Sequence, residues 1–322
     1  CKRLSRIADA CLEEALGIAG VEMARRYGAG PCEGLAVIGV GKLGGRELIY
    51  GSDLDIVFVY YQTRASPPPP DLTVVELFNK IAEKTIAYLT TMTREGSAYR
   101  VDTRLRPTGS KGPLVQSIEA FRSYFGGQAG AWGRQARVNA RIVAGDREAG
   151  QGLLRILGGL IFREEEPSAL AGAVRSMRKR MEEELGREDA RQYNIKQGSG
   201  GLVDIEFLVQ YLQLRHGNRE RRLRVPGTIN ALRALGRAGL IQPPECRSLQ
   251  TAYLFYRRLE SRLRIVANQA RSLLPRDPEN VRLLGKRIGY DDADGTAGAK
   301  LLADVERIRR EVRALFDLLV AP

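Results

Sequence analysis

Two carboxylates stand two residues apart, Asp53 and Asp55, just after a glycine-rich turn in "VIGVGKLGGRELIYGSDLDIVFVY", residues 37–60. Residues i and i+2 of a strand point to one face. The two acids are therefore expected to converge while Leu54, Ile56 and Phe58 turn toward a core. Adjacent carboxylates repel unless a cation lies between them. Mg²⁺ takes about six oxygens, commonly one or two carboxylates with phosphates and waters. Such a pair can hold the attacking and leaving oxygens of a two-metal phosphoryl transfer. A third acid, Asp102, lies in "SAYRVDTRLRP". Read as a strand with period-2 alternation, this segment puts Arg100, Asp102, Arg104 and Arg106 on one face. Tyr99, Val101, Thr103 and Leu105 take the other. A carboxylate on a basic face suits a metal with a triphosphate, and Arg104 or Arg106 is placed to neutralise phosphate charge.

The glycines themselves, Gly39, Gly41 and Gly44, spell G-x-G-x-x-G. A dinucleotide-binding unit needs a full helix after that turn, and its acid comes about 20 residues later, at the end of the second strand. Here only Arg46 to Tyr50 separate the glycines from "GSDLD", and the acids open the second strand. A Walker loop fails as well, because no G-K-[ST] follows. A strand, a glycine turn, a short helix and a strand opening on D-x-D describe a nucleotidyltransferase instead.

The elements that must position these residues follow from periodicity. Residues 5–27 read as a helix with Ile7, Cys11, Ala15, Ile18 and Val21 as its apolar stripe. "LAVIGV" and "LDIVFVYY" read as buried strands. "SPPPPD" at 66–71 reads as a rigid surface loop. Residues 72–92 read as a helix whose stripe is Val74, Phe78, Ile81, Thr85, Tyr88 and Met92. After about residue 150 strand signals vanish, and helices are expected at 167–186, 201–216, 227–239, 245–270, 278–287 and 296–319. The fold class is thus α+β: residues 1–150 form one domain with an N-terminal helix, and residues 151–322 an all-helical domain.

Composition narrows the chemistry. Hydrophobic residues make up 43 % and charged residues 28 % of 322, enough apolar surface to bury a core. No run of about 18 apolar residues exists to span a membrane. The four cysteines, Cys1, Cys11, Cys32 and Cys246, form no CxxC pair, which fits a reducing compartment. A single histidine, His216, excludes a His-rich metal site; at a helix end before Gly217 it is expected to meet the helix dipole. The net charge of +13 favours anionic partners, although much of it alternates with Glu on helices such as "RSMRKRMEEELGRED". No aromatic stacking platform accompanies it, so nucleic acid is not expected as a partner. The chain has no initiator Met and no signal peptide, and reads as part of a longer protein.

Three blocks carry a resemblance. "GVGKLGGRELIYGSDLDIVFVY", "YRVDTRLRPTGSKGPLVQS" and "NIKQGSGGLVDIEFLVQYLQLRHG" are similar, in order, to the glutamine synthetase adenylyltransferase family. The resemblance implies a polymerase-β-like nucleotidyltransferase domain followed by a helical domain, with ATP as substrate and Mg²⁺ in the cleft. It implies a large bifunctional cytoplasmic enzyme of two similar halves. One half moves AMP from ATP to a tyrosine hydroxyl of glutamine synthetase; the other removes AMP by phosphorolysis. A PII signal protein and glutamine set the balance. The wording at Ile49-Tyr50-Gly51-Ser52 and Gly201-Leu202-Val203-Asp204 is similar to the adenylylating half, with the removing half as the alternative. The family's metal-binding triad falls on Asp53, Asp55 and Asp102. Its nucleotide-binding turn falls on Gly41, Lys42, Gly44 and Gly45, with Ser52 beside the acids. Its second signature falls on Lys196, Gly200, Gly201, Asp204 and Glu206, of which Glu206 is the carboxylate expected to face the nucleotide.

Overall fold

The structure, a computed structural model, describes residues 1–27, 33–62, 68, 70–107, 109, 112–127, 129–189, 191–267 and 272–321. Cys32 and residues 66, 67 and 69 of the 66–71 loop lie outside the described residues. The chain divides into two compact units, Cys1–Arg163 with Val225–Gly227, and Glu164–Arg224 with Thr228–Pro322.

The first unit runs α1 (Lys2–Tyr27), β1 (Leu35–Gly39), α2 (Gly41–Gly44), β2 (Leu54–Tyr60), α3 (Val74–Thr90), β3 (Val101–Asp102), β4 (Val115–Ser117), α4 (Ile118–Gly127), α5 (Ala131–Gln135), β5 (Arg141–Gly145) and α6 (Arg147–Ile161). The sheet order is β3-β2-β1-β5, with β4 also paired to β2. β1 and β2 are antiparallel, Gly39 opposite Ile56, which removes the parallel βαβ unit a dinucleotide fold requires. As expected, Leu54, Ile56 and Phe58 enter the core, packed with Leu35 and Val37 against α1 and α3.

Several expectations need correction. α1 buries Ser5, Ala8, Leu12, Ala15, Leu16, Ala19, Gly20 and Met23; of the expected stripe Ala15 is therefore buried, whereas Ile7, Ile18 and Val21 are exposed. Both sets have helical spacing, and periodicity alone cannot rank two apolar stripes on one helix. The mostly small buried set lets α1 lie close. In α3 the expected Val74, Phe78, Ile81 and Thr85 are buried, joined by Leu77, Ala82 and Leu89, while Tyr88 and Met92 face solvent. Two strands, β4 and β5, were not expected at all. The third expected strand shrinks to Val101–Asp102, because the Asp102 carboxylate accepts from the backbone N–H of Arg104 at 2.8 Å and turns the chain. Arg104 and Arg106 therefore leave the strand and do not continue its face. The division falls at Arg163 and not at 150. α6 belongs to the first unit: its N-cap Asp146 also accepts from Gly34 N–H at 2.9 Å. Gly150 meanwhile sits so close to Ile142 that a Cβ would lie 2.6 Å from that side chain.

The second unit is α7 (Pro167–Leu185), β6 (Gln192–Asn194), α8 (Leu202–His216), α9 (Thr228–Arg237), α10 (Pro243–Ala267), β7 (Leu273–Pro275), α11 (Pro278–Ile288) and α12 (Ala297–Leu319). The helices match the periodic segments closely. The unit is not all-helical, however, since β6 and β7 pair antiparallel over three residues, too short a run to leave a pattern in sequence. α8 is buried on nearly every side, as a helix apolar all round should be.

Candidate active site

β1 ends at Gly39 and the chain turns at once into α2. Gly41 has φ +53°, and a Cβ there would lie 2.7 Å from Asp55 Oδ2. Only glycine reconciles that conformation with that neighbour. Gly44 presses on the opposite side, where a Cβ would lie 2.2 Å from the Asn139 carbonyl oxygen. Arg141, on β5, donates to the Gly44 and Leu43 carbonyls at 3.1 and 3.0 Å and pairs with Asp9 of α1 at 2.7 Å. The short helix is thus clamped from behind. At its C-terminus Arg46 adopts φ +57°. Gly45 fits against Glu47, whose Oε2 would lie 2.8 Å from a Cβ. Lys42, half-buried on α2, accepts at its carbonyl from Glu47 N–H at 2.8 Å.

The loop back to β2 closes on a tight turn. Ser52 N–H donates to the Ile49 carbonyl at 3.1 Å, and Ser52 Oγ accepts from Ile49 N–H at 3.0 Å, with Gly51 at φ +65°. That hydroxyl oxygen shapes the turn which delivers Asp53. β2 and β3 then run parallel with Leu54 opposite Val101 and Asp55 opposite Asp102. Partners in this register lie about 4.8 Å apart at the backbone, so Asp55 and Asp102 are neighbours, and Asp53 precedes them by one alternation.

The acids carry arginine partners. Arg100 Nε donates to Asp53 Oδ1 at 2.6 Å, and Arg100 Nη2 to the Gly51 carbonyl at 3.1 Å. Arg104 forks onto Asp102, with Nη2 to Oδ2 at 2.6 Å and Nε to both oxygens at 3.0 Å. That fork holds the Asp102 carboxyl below its usual range, against the opposing effect of burial. Mutual repulsion among the acids is expected to raise a carboxyl, and for Asp102 the direction is reversed because the nearest charge is positive. The Arg104 guanidinium is in turn stabilised first by Asp102 and then by Asp55 and Asp53. All three carboxylates act on one cation. Among the described residues no three His, Cys, Asp or Glu side chains stand as a ready ligand set. The side chains that the β2–β3 register brings together are nonetheless all carboxylates, oxygen donors of the kind a hard divalent cation takes.

Arg106 is differently employed. It donates to Thr103 carbonyl and hydroxyl oxygens at 2.8 Å and to the Gly112 carbonyl at 3.2 Å. Together with Arg137, which donates to the Leu105 carbonyl, it pins the turn after Asp102. Its groups serve the loop and do not stand on the open basic face read from the sequence. Arg100, Arg141 and Asn139 were missed as site residues. Arg100 is legible two residues before Asp102; Arg141 and its partner Asp9 are too distant in sequence to signal each other.

The second signature lies in the second unit. Gly200 has φ +68°, and a Cβ there would fall 1.9 Å from the Arg309 carbonyl. Its N–H donates to Asp204 Oδ2 at 2.7 Å, and its carbonyl accepts from Tyr256 Oη at 2.8 Å. A Cβ on Gly201 would meet the Gly198 and Lys196 carbonyls at 2.9 Å. Asp204 is 0 % exposed and ion-paired with the equally buried Arg178, which also donates to the Gln197 and Gly198 carbonyls. Burial pushes the Asp204 carboxyl up, opposed by Arg178, Gly200 N–H and Arg313. Asp204 is therefore a packing residue. Lys196 and Glu206 are half-buried. His216 closes α8; burial, Arg215 and Arg219 lower its pKa, so the helix dipole is not the dominant influence there.

No helix is long and apolar enough to cross a membrane, among the described residues, and Cys1, Cys11 and Cys246 are free thiols. A family model described as glutamate-ammonia ligase adenylyltransferase matches residues 1–156, and one described as GlnD PII-uridylyltransferase matches residues 175–320. The chain is 37 % identical over 314 residues to the bifunctional glutamine synthetase adenylyltransferase/adenylyl-removing enzyme of Stenotrophomonas maltophilia, covering 96 % of this chain and 34 % of that protein. Its counterpart in Methylococcus capsulatus is 34 % identical over 324 residues, 99 % of this chain and 34 % of that protein. That of Nitrosococcus oceani is 38 % identical over 281 residues, 83 % and 29 %. The chain spans about a third of the length of these curated relatives. With the glycine turn, the D-x-D strand and these matches taken together, the chain belongs to the glutamine synthetase adenylyltransferase family.

Proposed function

We propose that this chain is a polymerase-β-like nucleotidyltransferase unit with a helical partner unit, and that it transfers AMP from ATP to a tyrosine hydroxyl of glutamine synthetase. The observation that carries the reading is the strand register that sets Asp55 opposite Asp102, with Asp53 one alternation before, beside the Gly41 turn. Asp53, Asp55 and Asp102 would hold Mg²⁺, which would supply positive charge against the triphosphate. The Gly41–Gly45 turn, with Lys42 and Ser52, lets phosphate approach the backbone closely. Ionised Asp102 accepts the proton of the incoming phenol, whose free pKa is about 10. The new bond joins tyrosine oxygen to the α-phosphorus, the bond from that phosphorus to the bridging oxygen breaks, and pyrophosphate leaves. The nucleophile comes with the partner, so the chain needs none.

The wording "YGSDLD" and "GGLVDIEF" supports the adenylylating half over the AMP-removing one. Lys196, Gly200, Gly201 and Glu206 are proposed as the second unit's nucleotide contacts, PII as a regulator acting through the longer protein, and the cytoplasm as the setting. The test is α-labelled ATP with Mg²⁺ and unmodified glutamine synthetase. Label on the partner supports the reading. Release of ADP from adenylylated glutamine synthetase and phosphate, with no labelling in the first reaction, assigns the chain to the removing half.

A further inference from the structure

We infer that Arg100 and Arg104 are exchangeable latches: each closes one of the acids and, when a metal–nucleotide complex arrives, moves from carboxylate to phosphate oxygen. The inference rests on the reading of the three aspartates as a metal site. Three observations carry it. The two pairs are formed by residues of one short segment, Arg100 to Asp53 and Arg104 to Asp102, so both acids are capped from the β3 side. Asp102 is mostly covered, yet the guanidinium on it is 78 % exposed, and Arg100 is 63 % exposed. Exposed pairs of this kind add little to stability, so a divalent ion can displace them. Finally, a guanidinium fork fits a carboxylate and a phosphate equally well, so an arginine released from one is already shaped for the other. Arg106 and Arg137, bound to backbone carbonyls of the same turn, keep the segment fixed while the two guanidinium heads move.

The consequence is an order of affinities. Metal alone competes with two arginines for the acids, whereas metal with a triphosphate gives those arginines new partners. Mn²⁺ is a suitable probe, read by the loss of its free electron-spin signal, alongside calorimetric titration with Mn²⁺–ATP. Arg100→Gln and Arg104→Gln should bind Mn²⁺ alone about three- to tenfold more tightly than the parent chain and bind Mn²⁺–ATP more weakly by a similar factor. Arg104→Lys separates a latch from mere local charge. It keeps the charge and loses the fork, and should still tighten Mn²⁺ binding at least twofold. Arg122→Gln removes an exposed charge on α4 that holds neither the acids nor their turn, and should leave Mn²⁺ alone unchanged. Equal shifts in all four variants, or shifts of one sign for Mn²⁺ and Mn²⁺–ATP, would overturn the latch while leaving the metal site standing. If the folded parent chain and the four variants bind neither probe, the metal-site reading falls and the latch with it.

Discussion

Two aspartate–arginine contacts occupy opposite extremes of this molecule. In the second unit Arg178 and Asp204 are 1 % and 0 % exposed; Asp204 also accepts from Gly200 N–H, and Arg178 Nη2 donates to the Gln197 and Gly198 carbonyls. In the first unit Arg100–Asp53 and Arg104–Asp102 are open to water on the arginine side. The chemistry of the pairs is identical and the consequence is not. Removing one partner of a buried pair leaves a charge with no solvent and costs about 3–5 kcal/mol. Breaking an exposed pair costs almost nothing. A carboxylate needed for fixed packing belongs in the first setting, and one that must change partners in the second.

The sharpest way to test this contrast is to make the same substitution in both places. Asp55→Asn and Asp53→Asn should each reduce AMP transfer roughly a thousandfold or more, about 4 kcal/mol of barrier, while urea midpoints move little. An Asp55→Asn protein retaining a tenth of parental transfer would sever the acids from the chemistry. Asp204→Asn should do the reverse and unfold the helical unit early, with a loss of about 3–5 kcal/mol seen in urea titration. The paired change Arg178→Met with Asp204→Leu should cost less than either single change, since no lone charge remains buried.

Gly41→Ala gives an intermediate effect. The left-handed φ and the approach to Asp55 together should lower stability by about 1–2 kcal/mol. Transfer should fall more than tenfold, because Asp55 must shift. Alanine at Gly51, equally left-handed but with open space around it, should reproduce the stability loss with a much smaller effect on transfer.

The smallest effect lies in pH. His216 is lowered below its ordinary value by burial and by Arg215 and Arg219. Above about pH 6.5 it is neutral folded or unfolded and contributes no slope. As pH falls through that value the unfolded chain takes up the proton first, so stability declines until the folded pKa is reached. His216→Gln should flatten the melting temperature over that acidic window relative to the parent chain; an unchanged slope would assign it to the carboxylates.

Legibility divided along the same physical lines. Helices of the second unit were readable because most are long and periodic, and several, such as α7, α8 and α11, are followed by Gly. Asp53 and Asp55 were readable because two residues in a strand fix direction. The short strands β4, β6 and β7 were not, since three residues establish no period. The side of α1 that packs was hidden by a second apolar stripe. Asp204 could not be separated from Glu206 by spacing; its role depends on Arg178 and Gly200, and Arg178 lies on another helix. Arg106 looked like a ligand-facing cation by alternation, and only the Asp102 turn shows why it is not.

β2 has one neighbour on its β1 side and two on the other. The chain leaves that edge after Asp102, opposite Asp55, and returns to it at Val115, opposite Phe58. Both junctions are anchored in the same strand, so what lies between them is a detour whose ends stay put. Lengthening such a detour costs only about 0.6 kcal/mol per doubling. Asp102 keeps its register whatever the detour's length. A reporter peptide grafted into this stretch beside the acids should leave both junctions in place as long as Arg104 on Asp102 and Arg106 on Thr103 and Gly112 are kept.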